Sequence, residues 1–203
     1  MNDFLPSEYK IPDSSNYLRF KDGENTFRVL SSAITGYEYW TEDTKPIRSP
    51  KPFLKTPNIR IDKEGHAVKV KHFWAFVVWN YKAEKVQILE ITQSTIQGAI
   101  KSLVDNKNWG DPKEFDITVS RTGDGFDTEY STMPNPKATL PPEATQAYIS
   151  VKIDLEQLFS GGDPFGADTA KKPEFLKDDE NGKKEDQAEL ESEEPTGHFP
   201  VIN

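Results

Sequence analysis

The run His72-Phe73-Trp74-Ala75-Phe76-Val77-Val78-Trp79 constrains this chain more than any other stretch. Successive side chains of an extended strand point to opposite faces. Here both parities carry large apolar groups, so Ala67 to Tyr81 reads as a central strand covered on both sides. Its neighbours suit a sheet. Thr26 to Trp40 is rich in β-branched and aromatic residues and reads as one long strand, in which Gly36 marks a bulge or a close backbone approach. Asn80 to Lys85 is a short turn, and Val86 to Ile91 pairs back as a hairpin.

Ser94 opens a helix. Ser94 and Gln97 form a capping-box pattern, and Ile96, Ile100, Leu103 and Val104 recur at helical spacing. Asn106 to Pro112 ends that helix. Phe115 to Arg121 and Phe126 to Met133 flank the turn Thr122-Gly123-Asp124-Gly125, and Met133-Pro134-Asn135-Pro136 is expected to stop the second strand. Ala138 to Ser150 is ambiguous. Asp154 to Phe159 reads as a short terminal helix docking through Leu155, Leu158 and Phe159. The fold class expected is all-β with one inserted helix. Its order, β-β-β-α-β-β, is that of a five-stranded OB-fold-like barrel, whose second and third strands and adjacent loops bind oligonucleotides. A competing all-β or α+β arrangement stays open. No βαβ alternation supports a doubly wound sheet.

Composition bounds the function. The 203 residues include no cysteine, which excludes disulfides, thiolate zinc sites and cysteine catalysis and fits a reducing compartment. The length suffices for a real core. No apolar run is long enough to span a membrane, and Met1 to Lys10 lacks signal-peptide features, so a cytoplasmic location is expected (host cytoplasm for a viral protein). The formal charge of −9 argues at first sight against nucleic acid.

That charge is unevenly spread. Residues 1–159 carry 20 Lys/Arg and 22 Asp/Glu, whereas residues 160–203 carry 5 and 12. Lys45 to Lys71 holds eight Lys/Arg against Asp62 and Glu64 alone. The domains expected are an N-terminal arm (1–16), a binding domain (17–159) and a flexible acidic tail (160–203). Ser160-Gly161-Gly162-Asp163-Pro164 has linker chemistry. Asp178 to Glu194 has nine acids, two lysines and no aromatic residue, so it is expected to be disordered. The tail then turns apolar at His198-Phe199-Pro200-Val201-Ile202-Asn203, which reads as a short linear motif on a flexible arm, with Glu193, Glu194, Phe199 and Pro200 as its partner-binding residues.

Between Tyr37 and Tyr81 aromatics and cations interleave. Single-stranded nucleic acid calls for this mixture, because cations track phosphates and flat rings stack on unpaired bases. The phosphate contacts expected are Arg48, Lys51, Lys55, Arg60, Lys69 and Lys71. The stacking rings expected are Tyr39, Trp40, Phe53, Phe73 and Trp74. Strand parity groups Lys69, Lys71 and Phe73 on one face, expected to meet solvent or ligand, and His72, Trp74 and Phe76 on the other. At least half of Phe73, Trp74, Phe76 and Trp79 are expected to be core. The long connection Thr41 to Gly65 contains Pro46, Pro50, Pro52 and Pro57, which exclude a central strand or helix there and stiffen it for clamping.

No enzyme chemistry stands out. His66, His72 and His198 have no metal-ligand spacing, so neither a metal nor any other cofactor is expected. Thr122-Gly123-Asp124-Gly125 is too short for a phosphate-binding loop. Asp127 and Glu129 share a strand face, and with Asp116 on the paired strand they offer a rival reading as a metal-dependent nuclease.

The chain resembles phage-type single-stranded DNA-binding proteins of the OB-fold class. The segments that carry the resemblance are Asn25-Thr26-Phe27-Arg28-Val29-Leu30-Ser31, Gly36-Tyr37-Glu38-Tyr39-Trp40, Phe73 to Tyr81, Ile91-Thr92-Gln93-Ser94, and Trp109-Gly110-Asp111-Pro112 through to Thr128-Glu129-Tyr130. The resemblance implies a non-enzymatic, sequence-independent protein that coats and protects single-stranded DNA during replication, recombination or repair. It implies an acidic tail that recruits replication or recombination proteins (polymerase, helicase, nuclease), and it allows a homo-oligomer. Bacterial relatives end in acids and an apolar tip; here nine residues follow Glu194. Some phage relatives hold zinc, whose ligands are missing from this sequence. The alternative to DNA binding is an OB-fold protein-interaction module without nucleic acid.

Overall fold

A computed structural model of the chain describes residues 15–166. The expected arm up to residue 14 and the tail from residue 167, with Glu193, Glu194, Phe199 and Pro200, lie outside the described residues.

Among the described residues there are eight strands: β1 Tyr17–Leu18, β2 Gly23–Val29, β3 Ile34–Trp40, β4 Pro46–Ser49, β5 Lys71–Asn80, β6 Lys85–Ile91, β7 Phe115–Thr122 and β8 Glu129–Lys137. Helix α1 spans Ser94–Asp105, α2 Pro142–Ser150 and α3 Gln157–Ser160. The strands form one sheet in the order β1-β6-β5-β2-β7-β8, with β3 joined to β5 and β4 to β3. Pairing is antiparallel except between β1 and β6. The expected barrel is not closed. Closure would need β6 against β8; instead β6 takes β1 on its outer edge, with Tyr17 opposite Ile88. The result is an open, mixed sheet.

The expected single strand over Thr26 to Trp40 is two. The chain bends at Leu30–Ala33, where the Leu30 amide donates to the Val77 carbonyl (2.9 Å) and Ser31 Oγ accepts from the Val77 amide (2.9 Å). The bend lets β2 turn away to pair with β7 while β3 continues along β5. Gly36 is a close approach as expected: a Cβ there would lie 2.5 Å from the Ser49 carbonyl and 2.9 Å from the Phe159 ring.

β5 is covered on both faces. Phe76 and Val78 pack with Phe27, Val29, Leu89, Phe115, Ile117 and Val119, under Ile96 and Ile100 of α1. Phe73, Ala75, Val77 and Trp79 pack on the opposite face with Val86 and Ile88, under Ala144 of α2, Leu155 just before α3 and Leu158 within it. Each fully buried large side chain contributes about 1.5–3 kcal/mol relative to exposure. The ambiguous stretch Ala138 to Ser150 therefore holds a helix, and the short terminal helix docks as expected.

Two local expectations fail. Gln93, not Ser94, occupies the N-cap, and no side chain caps it. Gln97 instead sends its amide to the carbonyls of Ile91 (2.9 Å) and His72 (3.2 Å), so tertiary partners win over the capping box. β8 also runs through Pro134 and Pro136 to Lys137. It lies at the end of the sheet order, where prolines are tolerated because no further strand needs their missing N–H groups.

Arg28 ties the layers together at 1 % exposure. Its Nε donates to Asp116 Oδ1 (2.6 Å) and its Nη1 to the Ala138 carbonyl (2.9 Å), while Tyr81 Oη also donates to Asp116 Oδ1 (2.8 Å). Burial, reinforced by that hydrogen bond, pushes the Tyr81 hydroxyl up to about 12.

Candidate nucleic-acid interface

The proline-rich connection is a structured β-arm. β4 pairs with β3 from Tyr37–Ser49 to Trp40–Pro46, so β4 is an outer strand and the prolines exclude only a central one. Beyond β3, the Arg60 amide donates to the Trp40 carbonyl (2.7 Å), that of Glu42 to Asn58 (3.0 Å), and that of Val68 to Arg60 (2.9 Å). Bridges join Thr41 to Ile59 and Ile61 to Ala67. Tyr39 is the arm's internal anchor: its ring meets Phe53 edge-on at 4.9 Å, and its hydroxyl donates to the Pro57 carbonyl (3.2 Å).

This arm exposes both chemistries that a flexible polyanion with flat bases requires. Lys45, Lys51, Lys55, Arg60, Lys63, Lys69 and Lys71 are exposed, and none forms an ion pair among the described residues. Elsewhere many cations are paired, as in Lys101–Asp105, Lys113–Asp111, Arg121–Asp22 and Lys137–Glu114. Five of the nine large apolar side chains exposed among the described residues also lie here: Trp40, Ile47, Leu54, Ile61 and Val70.

The candidate residues thus separate. Lys51, Lys55, Arg60, Lys69 and Lys71 are exposed on the arm and its exit into β5. Trp40 is 38 % exposed, and Phe53 and Trp74 are half-buried. Arg48, Tyr39 and Phe73 need correction. Phe73 is wholly buried, because Phe159 covers its ring at 5.9 Å; the face it shares with Lys71 turns inward under the C-terminal helices. Tyr39 is spent on Phe53 and Pro57. Arg48 is held by Glu38 (3.2 Å) and Glu90 (2.8 Å), so two carboxylates already neutralise it. Burial pushes Glu90 above the ordinary carboxylate range; Arg48 pulls it down and Glu38 pushes it up.

Two further accessible rings lie outside the expected set. Tyr37 and His72 sit directly opposite each other on β3 and β5, with their rings edge-on at 5.4 Å. They share the Trp74 face, where a cleft of about 530 Å³ opens between Trp74, Phe76, Ala33, Val104 and Pro112. The parity of Tyr37 with Tyr39 was legible; the cross-strand register that joins it to His72 was not.

The nuclease constellation does not assemble. Glu129 pairs with Thr122, six residues along β7 from Asp116, which is about 20 Å at the usual strand rise. Asp116 is moreover committed to Arg28 and Tyr81. Asp62, Glu64 and His66 come within metal-ligand reach of one another, but all three are exposed and Asp62 already accepts the amides of Glu64 and His66.

A protein of Escherichia phage T5 named "Probable ssDNA-binding protein" is 26% identical to this chain over 141 residues, covering 58% of this chain and 54% of that protein. The chain resembles a phage-type ssDNA-binding protein. The resemblance read from its sequence is borne out at that level. The chain spans about half the length of the T5 protein. No family model matches it, and no solved structure does. No helix among the described residues is long and apolar enough to cross a membrane.

Proposed function

We propose that this protein binds single-stranded DNA without sequence preference, through the arm of residues 40–71. The observation that carries the reading is the coincidence, on one β-arm, of exposed apolar groups with exposed cations that form no ion pair among the described residues. Phosphates meet Lys51, Lys55, Arg60, Lys69 and Lys71; bases meet Trp40 and the face carrying Tyr37, His72 and Trp74. Contacts to backbone charge and to π-faces distinguish no base, so the binding tolerates any sequence. The similarity to the T5 protein supports the same reading. So does connectivity: β2 pairs with both β5 and β7, β5 with β6, and β7 with β8, and α1 lies between β6 and β7. That connectivity supports reading the sheet as an OB-fold left open at one seam, with the arm as its first long loop.

Within that reading the protein coats exposed strands during replication, recombination or repair, is not an enzyme, and recruits partner proteins through its acidic tail. The test is a titration of fluorescent oligo-dT at several salt concentrations, followed by anisotropy and by quenching of tryptophan emission. Binding that weakens steeply with salt, with quenching from Trp40 and Trp74, is expected. Absence of binding at low salt overturns the reading.

A further inference from the structure

Leu54 is the most exposed large apolar side chain among the described residues, at 101 % of its reference area. Its surroundings separate it from an ordinary surface leucine. It lies in Lys51-Pro52-Phe53-Leu54-Lys55, where both lysines are exposed and lack ion pairs among the described residues. Phe53 turns inward and packs edge-on against Tyr39 at 4.9 Å, and Leu54 is left projecting into solvent. The segment is held on both flanks. Ser49 Oγ accepts the Lys51 amide (3.1 Å) before it, and Tyr39 Oη holds the Pro57 carbonyl (3.2 Å) after it. Pro50, Pro52 and Pro57 remove backbone freedom across the segment.

An apolar tip on a braced loop between two cations has the form of a wedge for nucleic acid. Aliphatic side chains enter base steps in this way, where unstacking is repaid by contact of the separated bases with the protein. Resting on the single-stranded DNA reading above, we propose that Leu54 inserts between two adjacent bases of the bound strand and holds them apart, while Lys51 and Lys55 neutralise the phosphates on either side. Leucine offers no hydrogen bond, so the wedge accepts any base step. It also gives the protein a means of disrupting stacked single strands, which phosphate contacts alone do not provide.

The test uses the full chain and an oligonucleotide carrying one 2-aminopurine within an adenine run. Stacking on neighbouring bases quenches this fluorophore. An aliphatic wedge relieves the quenching, whereas an aromatic stacking partner preserves it. Wild type is expected to raise the emission several-fold on saturation. Leu54→Ser is expected to lose most of that rise while its affinity, read by anisotropy at the same salt, weakens about tenfold or less, because the unstacking cost disappears with the contact. Leu54→Met is expected to retain the rise. Ile149→Ser, at an exposed apolar position on α2 and not on the arm, is expected to change neither signal. Binding by wild type without a rise, or an equal rise in Leu54→Ser, overturns the wedge and leaves DNA binding intact. Absence of any anisotropy change in wild type overturns both.

Discussion

The guanidinium carbon of Arg48 lies 5.6 Å from the centre of the Phe73 ring. A cation and a ring that both suit a DNA strand are here each other's partner, on the face covered by the C-terminal helices. Glu38 on β3 and Glu90 on β6 complete the arrangement. Phe73→Leu is therefore expected to lower the urea midpoint by a moderate amount, and Phe73→Ala to cost about 3–5 kcal/mol. Folded Phe73→Leu should bind oligo-dT within about twofold of wild type, since the buried ring contributes no base contact of the stacking kind. A large affinity loss at an unchanged urea midpoint would return Phe73 to the interface.

The exposed lysines should behave in the opposite way. Lys51→Gln, Lys55→Gln, Lys69→Gln and Lys71→Gln break no ion pair among the described residues, so each should stay within about 0.5 kcal/mol of wild-type stability. Each should reduce the slope of log affinity against log salt by roughly one. Slopes unchanged in all four variants would move the phosphate track off the arm.

Glu90 makes stability depend on pH. Burial raises its pKa in the folded state, so the folded chain holds more protons than the unfolded chain from the ordinary carboxylate range up to the raised value. Stability from this group is therefore fully present at low pH and falls as pH rises through that window. Glu90→Gln keeps a hydrogen-bond acceptor for Arg48 and leaves Arg48 with Glu38. Its stability at neutral pH is expected to lie within about 1 kcal/mol of wild type, or above it, because the buried charge is removed. Thermal melts from pH 4.5 to 8 should show a flatter profile in the variant; parallel profiles would exclude this carboxyl as the source.

Two glycines offer a paired test of packing. Gly36→Ala forces a methyl against the Ser49 carbonyl and the Phe159 ring, and should cost about 1–3 kcal/mol in chemical unfolding. Gly98 lies within α1, and nothing stands within 4 Å of an added Cβ. Gly98→Ala should gain about 1 kcal/mol of helix propensity. A neutral Gly36→Ala would refute the close approach of β3 to β4.

Acidic residues on the same chain as a basic arm compete with DNA at high effective concentration. Deleting residues 178–203 is expected to tighten oligo-dT binding several-fold, and more so at low salt. Equal affinities for the full and shortened chains would show that the tail does not mask the arm.

Much of the fold was legible because strand and helix periods are local. The alternation Phe115, Ile117, Val119 and the spacing Ile96, Ile100 name their own buried faces, and β5 declares through both parities that it is central. The polarity of each face was less legible. Lys69 and Lys71 suggest that Phe73 looks toward solvent, yet Phe159, 86 positions later, settles that it does not. Gln97 forsakes its local cap for the carbonyls of Ile91 and His72, a choice that exists only once α1 lies against β5.

The sheet, the inserted helix, the basic proline-rich connection and the resemblance to phage-type ssDNA-binding proteins can all be read from the order of the amino acids. These follow from side-chain period, backbone preference and charge, which neighbouring residues carry. That β6 meets β1 in place of β8, that Arg48 and Phe73 are interior partners, and that Leu54 projects between two exposed lysines emerges from the packed fold alone. Burial and pairing are properties of what arrives from elsewhere in the chain, and no local pattern encodes them.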